Sequence, residues 1–180
     1  MTDISTPVTS VTTASERAAA GGQWLLGAAP SRHEAWASWE ETGTAWLRPG
    51  VLFGAILVRA GVMHAALGES SPMECATALD VRLCGGPVFY GEEGFGAEGC
   101  YTALVPASVA MQWAVRGSIP HHRQALLEVP APEIVRPERT LSWWVVPLDG
   151  PGTLCEPGML AALVAQGQAV LDDAKAAQDG

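Results

Sequence analysis

Apolar positions along the chain change their period several times, and each change marks an element. Met1 to Thr12 is rich in Ser and Thr with only scattered Val and Ile, too little apolar surface to offset the entropy of ordering, and reads as a flexible tail. Thr13 and Glu16 have capping-box spacing and open a helix that the pair Gly21-Gly22 weakens before Trp24, Leu25 and Leu26. Ser31 and Glu34 repeat the device after Pro30. They predict a helix through Glu41 with Ala35 and Trp39 on one face, Trp36 beside them and Gly43 at its end. From Thr44 to Arg59 the helical stripe disappears and Pro49-Gly50 interrupts an apolar run, which predicts two strands joined by a turn.

Gly61 to Leu67 reads as a short apolar helix or turn. Ser71-Pro72-Met73-Glu74 supplies an N-cap, a proline at the first helical position and a glutamate three residues after the cap. It predicts a helix to Cys84 that buries Ala76, Leu79 and Leu83 and stops at Gly85-Gly86. Pro87 to Tyr90 and Cys100 to Val105 predict a hairpin around a glycine-rich loop. Ser108 is expected to cap a short helix through Arg116 that buries Met111 and Val115, and Leu126 to Val129 and Ser142 to Val146 read as strands. Leu160, Leu163, Val164 and Leu171 repeat at helical spacing in a last helix from about Glu156 to Ala174, leaving 175–180 as a flexible end.

This order lacks the regular strand-helix alternation of a doubly wound sheet. It predicts one α+β domain over residues 13–174, a mixed, mainly antiparallel sheet of five or six strands with helices packed on it and with N- and C-terminal helices. A chain of 180 residues is long enough to hold a core without disulfides or metal, and the four cysteines are expected to stay reduced. Met1 to Thr12 has neither positive charge nor an apolar run, so no leader peptide and a cytoplasmic location are expected. The longest apolar stretch, Val51 to Val58, stops at Arg59, far short of a membrane span.

Acidic residues outnumber basic ones by 19 to 10, and a net charge of -9 disfavours non-specific nucleic-acid binding. Lys175 is the single lysine, and together with abundant Ala and Gly it reads as the bias of a GC-rich genome.

Several motifs carry candidate chemistry. Gly94-Phe-Gly96-Ala-Glu-Gly99 matches the dinucleotide-binding glycine pattern, but a strand follows where a helix should, and Glu92, Glu93 and Glu98 would repel phosphate. It reads as a hairpin loop. His121, His122 and Arg123 follow Ile119-Pro120; neighbouring residues of an extended segment face opposite ways, so the pair does not predict a metal site, and the segment is a candidate for an anion or an acidic partner. Trp143 and Trp144 place one ring on each face of a predicted strand. Either both faces are buried or one ring belongs to an interaction surface. No Ser, Cys or Thr sits in a nucleophile turn.

The run Thr44 to Arg59, then Gly85-Gly-Pro-Val-Phe89, then Tyr101-Thr-Ala-Leu-Val-Pro106 resembles a group of small actinobacterial proteins. These are in turn similar to the N-terminal domain of bifunctional DNA primase-polymerases. The resemblance spans roughly residues 43 to 147 and implies an α+β fold. Primase-polymerase chemistry needs acidic residues that hold divalent metal beside nucleotide phosphates. Gly54 stands where that resemblance places an aspartate, no D-x-D pair occurs, and Arg59 is the one polar residue of the pattern that carries over. The resemblance therefore implies a degenerate, non-catalytic descendant.

The expectation from sequence is a non-catalytic cytoplasmic accessory or interaction protein, with no cofactor, no metal and a protein partner. Contact residues would be Trp143 and Trp144 and the loop at His121, His122 and Arg123. The alternative is an enzyme or binding protein for a nucleotide or another small phosphorylated ligand. It requires Arg59, His64 and Arg123 to converge in one pocket.

Overall fold

The computed structural model describes residues 13–93, 98–137 and 140–179; the expected tail at residues 1–12 and much of the glycine motif lie outside them. Six helices and seven strands follow in the order α1 (Ala14–Leu25), α2 (Arg32–Thr42), β1 (Thr44–Leu47), β2 (Gly54–Arg59), α3 (Ala60–Leu67), α4 (Pro72–Arg82), β3 (Val88–Gly91), β4 (Cys100–Val105), α5 (Ala107–Ala110), β5 (Ser118–Pro120), β6 (Leu127–Pro130), β7 (Ser142–Val146) and α6 (Pro157–Asp179). The fold is α+β. β5-β2-β4-β3-β7 form an antiparallel five-stranded sheet, and β1-β6 form a two-stranded one.

The helix starts follow from their caps. Thr13 accepts from the Glu16 amide while the Glu16 carboxylate accepts from the Thr13 amide, and Ser31 and Ser71 accept from the amides of Glu34 and Glu74. Gly43, with φ of 79°, ends α2 in the left-handed conformation that a side chain disfavours. The hairpin of β3 and β4 forms as expected from its two strand-forming runs.

The two strands expected between Thr44 and Arg59 form as β1 and β2, but in different sheets: β1 joins β6, eighty or more residues away, while β2 lies between β4 and β5. Three sequence expectations are corrected. The helix expected from Ser108 to Arg116 is the single turn α5; Met111 is exposed and Val115 half-buried, because Trp113 folds back to donate to the Ser118 hydroxyl and the chain enters β5. Residues 175–179 continue α6. Trp143 and Trp144 are core, only 4% and 1% exposed. The interaction surface expected from them does not exist, because Trp143 packs on Tyr90 on one face of β7 while on the other Trp144 packs on Phe89 and donates to the Pro130 carbonyl.

Strand alternation gives the five-stranded sheet two different faces. One carries Ile56, Val58, Tyr90, Tyr101, Ala103 and Trp143; His64 of α3 reaches the Tyr101 hydroxyl on this side. α6 packs on α3, with Leu160, Leu163 and Val164 buried. The other face carries Leu57, Thr102 and Phe89 in one cross-strand row and Cys100, Gly91 and Ser142 in the next. Over part of that second face stands the two-stranded sheet. Trp39 of α2 fixes it by donating to the Val129 carbonyl, and β6 meets β7.

Among the described residues, no helix is long and apolar enough to cross a membrane.

Candidate functional site

The space between the two sheets is a cleft of about 570 Å³, within the range of small-ligand sites. Its floor is the second face of the large sheet. Leu57, Thr102 and Phe89 lie side by side there, and Cys100, Gly91 and Ser142 form the neighbouring row. Glycine at 91 leaves that row open: among the described residues, a Cβ there would meet nothing closer than the Glu93 carbonyl at 3.7 Å. The facing wall comes from the small sheet, where Trp46 and Glu128 are direct cross-strand partners and the Thr44 hydroxyl donates to the Glu128 carboxylate at 2.6 Å. Alternation puts Thr44, Trp46 and Glu128 on one face of that ribbon.

Polar groups of the cleft are unevenly satisfied. Thr102 is the buried polar residue in a run of apolar strand positions. The Nδ1 atom of His121 and the hydroxyl of Ser142 are both buried without a hydrogen-bond partner, and both residues line the cleft. Buried polar atoms in proteins are nearly always paired, so two orphans at one cavity mark a surface suited to a polar ligand or to water. Burial lowers the pKa of His121, against smaller opposing effects from the backbone of His122 and Leu126, and leaves the ring neutral at pH 7. Among the described residues, the lining contains Glu93 and Glu128 and no Lys or Arg.

The arrangement is poor for nucleophilic chemistry. Burial pushes the Cys100 thiol up to about 11, with the Thr102 hydroxyl opposing, so the sulfur is protonated rather than nucleophilic. Register also separates it from a base: Cys100 lies opposite Arg59, whereas the His121 amide donates to Ala55, roughly 13 Å further along β2. Among the described residues, no three His, Cys, Asp or Glu side chains cluster as metal ligands.

The residues singled out from sequence fall in three places. His121, His122 and Arg123 come together in a smaller pocket of about 270 Å³ with Gly50 and Met111, and the His121 ring also lines the main cleft. There Arg123 is directed at the Met111 sulfur, 3.9 Å away, and His122 Nδ1 accepts from the Gln124 amide. Arg59 is exposed at the far end of β2 and donates to Gln168 at 3.4 Å. His64 packs edge-on against Tyr101, with Nε2 3.0 Å from its hydroxyl. Because β5 pairs Pro120 with Ile56, Arg123 lies beyond the start of β2 and Arg59 at its end, on the order of 15–20 Å apart. The pocket of Arg59, His64 and Arg123 required by the phosphorylated-ligand alternative is not formed.

Thr44, Trp46, Gly91, Thr102, Glu128 and Ser142 escaped the sequence reading. Two of them carried a local signal: Thr102 interrupts an otherwise apolar strand, and Trp46 is an aromatic alternating with Thr44. The others become neighbours only through pairing of distant strands. No protein-family model, curated protein or solved structure matches this chain.

Proposed function

We propose that this protein is a non-catalytic binding protein that holds a small organic molecule in the cleft between its two sheets. The observation that carries the reading is the cleft itself, about 570 Å³ with an apolar floor at Leu57 and Phe89 and two unpaired buried polar atoms, His121 Nδ1 and Ser142 Oγ. A few placed polar groups in an otherwise apolar concavity are what small-molecule sites share. Absence of turnover is supported by the protonated Cys100 thiol and its distance from His121. The acidic lining works against a nucleotide phosphate in the cleft.

A second reading, contact with a protein partner, draws on a groove of about 410 Å³ between α1 and α2. Trp36, 45% exposed, stands beside Ala19 and Pro132 there.

Native mass spectrometry of the full chain purified at low salt from its host, beside the variants Gly91→Val and Trp36→Ser, tests both. The cleft reading predicts a small mass increment that Gly91→Val loses and Trp36→Ser keeps. A polypeptide increment lost only in Trp36→Ser would replace it with the partner reading, and a bare mass throughout would contradict both.

A further inference from the structure

We infer that the ligand of the cleft is an organic cation, an ammonium group carried on an apolar or aromatic body. The inference rests on the binding role proposed for the cleft and adds the chemistry of what binds. Trp46 and Glu128 are directly opposed on β1 and β6, so an indole and a carboxylate stand side by side on the wall. Trp46 is 55% exposed, an unusual state for an indole, and its ring lines the cleft rather than the core. An indole face attracts a cation through its quadrupole, and a neighbouring carboxylate adds a charge-assisted hydrogen bond to an ammonium. The Thr44 hydroxyl occupies one lone pair of Glu128 and holds its carboxylate in place.

The rest of the lining agrees with a positive ligand. Glu93 contributes a second carboxylate, His121 is neutral, and among the described residues no Lys or Arg lines the space. A bare metal ion does not fit, since the described residues hold no cluster of three ligating side chains. Leu57 and Phe89 on the floor offer apolar contact for the body of the molecule. Arg123 lines the neighbouring pocket and is not among the residues lining the cleft.

The test uses three probes of one shape and different charge: 2-phenylethylamine, 2-phenylethanol and phenylacetate, titrated into the full chain and followed by backbone and indole NMR shifts. The amine is expected to bind in the cleft at least about tenfold more tightly than the alcohol, with phenylacetate weakest. Glu128→Gln, which keeps an acceptor for Thr44, should remove that preference while leaving the alcohol unchanged. Trp46→Leu should weaken the amine more than the alcohol. Equal binding of amine and alcohol, or tighter binding of phenylacetate, would overturn the cation inference and leave the cleft as a binding site. No cleft shift with any of the three would overturn both.

Discussion

On the helix-covered face of the five-stranded sheet, Ile56, Val58, Tyr101 and Trp143 are sealed, whereas on the opposite face Leu57, Thr102 and Phe89 border a cleft. The same strands make both faces, so the difference lies in what covers them. Under the helices, the Tyr101 hydroxyl meets His64 Nε2 at 3.0 Å and Cys75 beside it, and burial raises the pKa of both the tyrosine and the cysteine. In the cleft, His121 Nδ1 and Ser142 Oγ have no partner, and on the sealed face Trp143 Nε1 has none either. The glycines divide in the same way. Gly167 of α6 lets that helix touch the Val62 carbonyl of α3, while among the described residues a Cβ at Gly91 would make only an ordinary contact with the Glu93 carbonyl at 3.7 Å. A sealed face uses missing side chains for contact, and an open face uses them for room.

The largest effect that could break this comparison is on the two tryptophan environments. Trp143→Ala should cost about 3–5 kcal/mol by urea denaturation, as a large buried aromatic does, while Trp46→Ala should stay within about 0.5 kcal/mol. Similar costs for the two would erase the distinction between core and cleft.

Glycine substitutions come next. Gly167→Ala should destabilise by about 1–3 kcal/mol despite alanine's better helix propensity, because its Cβ would overlap the Val62 carbonyl oxygen. Gly91→Val should leave the urea midpoint unchanged or raise it, by up to about 1 kcal/mol, since a strand prefers a side chain and there is space for one.

Removing the shared hydroxyl in Tyr101→Phe should cost about 1–2 kcal/mol, the usual value of a buried hydrogen bond. The smallest expected effect is on pH dependence. Burial lowers the folded-state pKa of His64, with Glu74 opposing, and that of His121, from 6.5. The unfolded chain then binds more protons than the folded one just below pH 6.5. Stability should therefore be full above that value and decline as pH falls through the two folded-state values. Glu16 and Glu74, whose pKa values are lowered by hydrogen bonds to Thr13 and to Ser70 and Ser71, lose their contribution only below 4.5. Urea midpoints between pH 7 and 5 should thus fall less steeply in His64→Gln than in the parent, and parallel curves would remove His64 from the account.

Local chemistry was legible in the chain. Thr13 with Glu16, Ser31 with Glu34 and Ser71 with Glu74 announce the starts of α1, α2 and α4, since a cap acts within one turn of itself. The pairing of β1 with β6 was not, because its partners are separated by most of the sheet and nothing in Thr44–Leu47 distinguishes a hairpin partner from a distant one. That non-local pairing is also what makes the cleft, so Glu128 and Trp46 could not be brought together from sequence. β5 was missed as three residues ending in Pro120, a strand short enough to resemble a loop. The sequence marks His121 by its neighbours His122 and Arg123, yet its structural importance is that it borders two cavities.

The most direct test of the cleft follows the indole N–H signals of the seven tryptophans while 2-phenylethylamine and 2-phenylethanol are titrated into the full chain. The account predicts a saturable shift of the Trp46 signal with at least the amine, accompanied by the amides of Gly91 and Thr102, while Trp143 stays in place. A still Trp46 signal with both probes, or shifts confined to Trp36 and its groove, would contradict it.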